Sequence, residues 1–119
     1  MDNIKHRLTL DMLTSCCSTE IFVKKGDTIR ELEMVLSSHG KPIPLSDECS
    51  VSVRSKLADG TVVEGIGTVE DNTIRYVLSS ELTYSGIVNT EVKITEGSSV
   101  VTSPRFRIVV ADTLTNELI

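Results

Sequence analysis

Val51-Ser52-Val53-Arg54-Ser55-Lys56-Leu57-Ala58-Asp59-Gly60-Thr61-Val62-Val63 decides how this chain is read. Val51, Val53 and Leu57 keep the period of two of a strand with one buried face. Asp59-Gly60 then supplies a tight turn before a β-branched return. Such a hairpin predicts antiparallel neighbours on either side, and the rest of the sequence supplies them. Downstream, Gly65 and Gly67 interrupt the returning strand, the mark of a bulge or a close backbone approach. Asp71-Asn72 turns the chain into Ile74, Tyr76 and Leu78, and Gly86 opens a strand with Val88, Val92 and Ile94 on one face. Glu96-Gly97-Ser98 turns again into a last strand with Phe106, Ile108 and Val110 inward. Ser79 to Ser85 holds either one short helical turn or a crossing loop.

Upstream, Pro42 and Pro44 flank Ile43 in an extended loop, because a central strand does not tolerate two missing donors. Leu32, Met34 and Leu36 alternate with Glu31 and Glu33, whose carboxylates are expected on a solvated outer face. Gly26-Asp27-Thr28 reads as a turn, and Ile4, His6, Leu8, Leu10 and Met12 alternate with Lys5, Arg7, Thr9 and Asp11 in an N-terminal strand. The expected fold is all-β: an antiparallel, immunoglobulin-like β-sandwich of seven to nine strands with an extended N-terminal strand and arm. The expected division is strand and arm over 1–19, the β-domain over 20–112 and a tail over 113–119 that can begin a helix.

Composition agrees with this architecture. The 119 residues include 14 Val, 10 Ile and 13 Thr against 2 Ala, which favours strands over helices. With no Trp, and Phe22, Phe106, Tyr76 and Tyr84 as the aromatics, the core must be largely aliphatic. A net charge of −5 repels phosphate backbones, so no nucleic-acid partner is expected. No apolar run approaches the roughly twenty residues of a membrane span, and the alternation over Met1 to Met12 is not that of a signal peptide. Neither membrane insertion nor export is expected.

Catalytic groups are sparse. The two imidazoles, His6 and His39, stand alone, the first on an apolar strand face and the second in a turn. Cys16, Cys17 and Cys49 show no zinc spacing and read as reduced thiols. Asp47-Glu48 lacks the calcium-loop pattern, and Gly65-x-Gly67 lacks the third glycine and the helix of a phosphate cradle. The expectation is no enzyme, no metal and no cofactor. Ile29, Val35, Ile87 and Val109 fall on faces that otherwise carry charge and are candidate subunit-interface residues.

Several segments in order resemble one family. Leu10-Asp11, Val23-Lys24-Lys25-Gly26-Asp27-Thr28, Gly40-Lys41-Pro42-Ile43-Pro44-Leu45-Ser46, Ala58-Asp59-Gly60-Thr61, Ile74-Arg75-Tyr76-Val77-Leu78 and Thr102-Ser103-Pro104-Arg105-Phe106-Arg107-Ile108-Val109-Val110 follow one another as in the N-terminal domain of upper baseplate (BppU-like) proteins of phages and prophages of Gram-positive bacteria. The resemblance implies a non-enzymatic module linking the tail hub to outer or receptor-binding components. It implies other tail and baseplate proteins as partners, a homo-oligomer with the trimer favoured, and a place in the virion after assembly in the host cytoplasm. Gly26, Asp27, Thr28, Gly40, Asp59 and Gly60 carry the match as structural turns. The alternative from another class is a carbohydrate-binding, adhesin-like module for a host cell-wall polymer, against which the shortage of aromatic rings counts.

Overall fold

A computed structural model describes residues 1–13, 19–84 and 86–113. Ten strands follow one another: β1 (Ile4–Asp11), β2 (Glu20–Lys24), β3 (Arg30–Ser38), β4 (Lys41–Pro42), β5 (Ser50–Lys56), β6 (Val62–Glu70), β7 (Thr73–Val77), β8 (Ile87–Glu96), β9 (Ser99–Thr102) and β10 (Phe106–Ala111). A single 3₁₀ turn at Leu82–Tyr84 precedes β8, and there is no α-helix among the described residues. The connecting residues 14–18, with Cys16 and Cys17, and residues 114–119, where a helix was expected to begin, lie outside the described residues.

The strands pair in the order β1-β3-β7-β6-β5-β8-β10-β2, with β4 attached to β3 and β9 to β8. This path curls into a nearly closed, barrel-shaped sheet whose two ends are the first two strands of the chain. β6 makes the curl possible. Its residues 62–67 pair with β5 and residues 68–70 with β7, so one strand serves both halves. The two glycines sit where it turns. A Cβ on Gly67 would come within 3.0 Å of Val51 Cγ1 and 3.2 Å of the Arg75 carbonyl oxygen, so the close approach read from the sequence is real.

The all-β class holds, whereas the purely antiparallel sandwich of seven to nine strands does not. β1 runs parallel to β3, with Leu8 opposite Met34, and β2 runs parallel to β10, with Ile21 opposite Ile108. Alternation reports which face of a strand is buried but not which way its neighbour runs. The crossover from β1 to its parallel partner β3 is made by β2, which crosses to the far end of the path and returns, instead of by a helix. The additional strands escaped for plain reasons. β4 is two residues long and holds Pro42, and all four residues of β9 are exposed, so neither carries an inside-outside signal.

The core is the inward set that the period of two picks out. Leu32, Met34, Leu36, Val53, Ile74, Val88, Val92, Phe106 and Ile108 are each fully shielded from water. Each such side chain contributes roughly 1.5–3 kcal/mol of burial. Two polar features cross this interior with their hydrogen bonds made. The hydroxyls of Ser55 and Thr90 lie 3.1 Å apart, and Ser103 Oγ accepts the Val92 N–H at 2.9 Å and donates to the Pro104 carbonyl at 3.0 Å.

Candidate interaction surface

The turn residues act as fasteners. Gly26 takes φ +87°, which an L side chain avoids, and its N–H donates to the Thr83 carbonyl at 3.0 Å. Thr83 Oγ1 lies 3.0 Å from the carbonyl oxygens of both Asp27 and Ser80, so the 3₁₀ turn is tied to the β2–β3 turn from both sides. Asp27 Oδ2 accepts the Lys24 N–H at 3.1 Å and the Arg30 Nε–H at 2.8 Å. The Arg30 hydrogen bond, and after it the Lys24 N–H, holds the Asp27 carboxyl below its usual range against some burial. Arg30 Nη1 reaches His6 Nε2 at 3.3 Å; since arginine only donates, His6 accepts there as the neutral ring. Burial and the neighbouring Arg30 charge push the His6 pKa down, with Asp27 opposing them. Thr28 is exposed beside this cluster.

The other motif turns lie elsewhere. His39 (φ 53°) and Gly40 (φ 76°) form the two-residue connection between Ser38 and Lys41, so His39 serves a hairpin. Asp59 Oδ1 accepts the Thr61 N–H at 2.9 Å, and Gly60, at φ 91°, donates to the Leu57 carbonyl at 2.9 Å. The Thr61 hydrogen bonds hold the Asp59 carboxyl below its usual range. The six motif residues are thus distributed over three turns and do not converge on a ligand site.

The outer face of β1, β3 and β7 differs from expectation. Glu31 and Glu33, expected in solvent, are only 9% and 8% exposed because cations from both neighbouring strands close over them. Glu33 meets Lys5 Nζ at 3.3 Å, Arg7 Nε at 3.2 Å and Arg75 Nη1 at 3.2 Å, while Glu31 meets Arg75 at 3.5 Å and accepts from Asn3 Nδ2 at 3.0 Å. Burial raises the Glu33 pKa, but the Lys5 hydrogen bond and the charges of Lys5, Arg7 and Arg75 outweigh it and leave the carboxyl below its usual range. The parallel β1–β3 pairing sets Lys5 beside Glu31 and Arg7 beside Glu33, which alternation within β3 alone does not reveal.

The candidate interface residues separate into two places. Val109 of β10 lies opposite Ile87 of β8 on one side and Phe22 of β2 on the other, so three apolar side chains cross three strands in one row of the outer face. Ile87 is 50% exposed, Phe22 64%, and Val109 is half-buried between them. Phe22 was not among the candidates, although its place between the inward Ile21 and Val23 marks it as outward. Val35, opposite Thr9, and Ile29, whose carbonyl accepts the Ile4 N–H at 2.7 Å, are half-buried in the other half of the sheet. Among the described residues β1 and β2 each pair on one side, so each presents a backbone edge.

Among the described residues no nucleophile is set beside an activating base. The Cys49 thiol donates to Glu96 Oε2 at 3.2 Å; burial and that carboxylate raise its pKa, the opposite of activation. Among the described residues no three His, Cys, Asp or Glu side chains are grouped to hold a metal ion.

No family model matches the chain, and no curated protein matches it. Among solved structures it is similar to the N-terminal domain of ORF48 of phage TP901-1, the upper baseplate protein of that phage. The likeness has a TM-score of 0.70 at 14% identity and covers 89% of this chain and 97% of the other. The two therefore share a fold, and the resemblance read from the ordered motifs has a structural counterpart.

Proposed function

We propose that this chain is a non-enzymatic structural subunit of a phage tail baseplate, linking the tail hub to outer or receptor-binding components. The observation that carries the proposal is the shared fold with an upper baseplate domain over 89% of the chain. The turn residues Gly26, Asp27, Asp59 and Gly60 support it, since each makes a hydrogen bond that holds its turn. On this reading the partners are other tail proteins, the chain is assembled in the host cytoplasm and resides in the virion, and it works as a homotrimer. The row Ile87, Val109 and Phe22, next to the backbone edge of β2, is the first contact surface, with Ile29 and Val35 serving the opposite half.

The test is to tag the chain in a strain producing the phage particle and to image purified particles with gold label. Label at the tail tip is the expected result, and particles free of the protein overturn the proposal. Light scattering of the isolated chain from micromolar to hundred-micromolar concentration reads the expected trimer.

A further inference from the structure

The outer face of β5 and β8, beside the β5–β6 hairpin, holds a groove of about 560 Å3. Its charged lining is Arg54 and Lys56 from β5 and Arg105 ahead of β10, against the single carboxylate of Glu91. That makes a cationic patch on a chain of net charge −5. Arg54 is shared with Glu64 at 3.4 Å, an exposed pair, and Arg105, itself exposed, with the half-buried Glu91 at 3.8 Å, and a ligand carboxylate can replace either partner at small cost. Lys56 forms no ion pair among the described residues. The groove also has aliphatic walls: Val62, opposite Lys56 in the ladder, is 59% exposed, and Ile87 is 50% exposed. Asn89, on the other flank of Lys56 from Val62 and two residues along β8 from Ile87, offers both a donor and an acceptor.

We propose that this groove binds an extended acidic peptide segment, one alternating carboxylates with aliphatic side chains, presented by another protein. Charge complementarity selects the acidic partner, and the apolar walls select a peptide. A polyphosphate chain has nothing to bury on Val62 and Ile87, and no aromatic ring in the groove can stack on a sugar. Exposed ion pairs contribute little individually, so binding needs the cations and the walls together. The inference goes beyond the baseplate proposal and shares Ile87 with its contact row, so a peptide bound here should compete with self-association, while tail-tip labelling and peptide binding can each fail without the other.

The test uses the ¹⁵N-labelled chain and the blocked peptide Asp-Ile-Glu-Val-Asp-Leu-Glu, with a version carrying Lys at every acidic position and linear polyphosphate as comparisons. The expected result is saturable amide shifts at Lys56, Ile87 and Asn89 with the acidic peptide only. K56E/R105E should weaken binding about tenfold or more, and added salt should weaken it as well. Ile87→Ser should weaken binding at constant charge. Should K56E/R105E fail to fold, K56M/R105M replaces it. Absence of saturable shifts at about 1 mM peptide, equal binding of the Lys version, undiminished binding by the folded double variant, or binding of polyphosphate without the peptide would each overturn the proposal.

Discussion

The ring of Tyr76 occupies the space that a side chain on Gly65 would need: a Cβ there would meet Tyr76 Cε1 at 2.6 Å and its hydroxyl oxygen at 2.7 Å. Tyr76 is 6% exposed and its burial raises its pKa, so the ring has little room to retreat. Gly65→Ala should therefore cost about 1–3 kcal/mol through overpacking. The costs of Gly65→Ala and Tyr76→Leu should be less than additive in the double variant, because the smaller side chain frees the space. Urea unfolding of the four proteins checks this, and simple additivity would contradict the steric account.

Asp27 joins the β2–β3 turn to the start of β3 through two hydrogen bonds on one oxygen. Asp27→Ala should lose about 1–2 kcal/mol, with Asp27→Asn losing less because it retains an acceptor for the Lys24 N–H. Denaturant midpoints of the two variants should fall in that order.

Acid should weaken the fold in two stages. His6 has an ordinary pKa of 6.5 that the fold lowers, so below about pH 6.5 the unfolded chain takes up a proton before the folded one does. The stability held by neutral His6 is full above that pH and is lost as pH falls toward the lowered folded value. Asp27 and Glu33, also lowered, keep their contribution above their ordinary carboxylate range and lose it below. Unfolding midpoints measured from pH 8 to pH 2 should stay level above about pH 6.5, fall once in the His6 stage and again in the carboxylate range, and His6→Gln should flatten the upper stage alone. An unchanged upper stage would exclude His6 as its source.

Inward and outward apolar residues should separate cleanly by substitution. Leu10, 3% exposed, faces the core, and Leu10→Ala should cost about 2–4 kcal/mol. Phe22→Ser should change stability by no more than about 0.5 kcal/mol and should reduce self-association if the row with Val109 and Ile87 is a subunit contact. Calorimetry with light scattering on the same samples reads both effects.

Much of the interior was legible because a period of two is a local signal. Leu32, Met34, Leu36, Ile74, Val88 and Phe106 were placed inward and are buried. Gly26, Gly40 and Gly60 were placed in turns, and all three have the positive φ that a turn requires. What escaped depends on partners distant in sequence. The parallel pairings of β1 and β2 cannot be seen in either strand alone, and the burial of Glu33 depends on Lys5, Arg7 and Arg75 arriving from two other strands. The groove beside the β5–β6 hairpin escaped for the same reason, since Arg105 is about fifty residues from Arg54 and Lys56, with which it lines the groove.

The pairing of β2 with β10 sets a schedule. Among the described residues Glu20 to Lys24 find their strand partners in Arg107 to Ala111, so a nascent chain leaving the ribosome carries β2 unpaired until β10 has been made. Loop closure over that span is slow compared with closing the hairpins. Ile21 and Val23 and the backbone edge beside them stay open to wrong neighbours meanwhile. The same delay keeps the row of Phe22, Val109 and Ile87 from existing in any product that stops before β10, so only copies that have made this strand can present it.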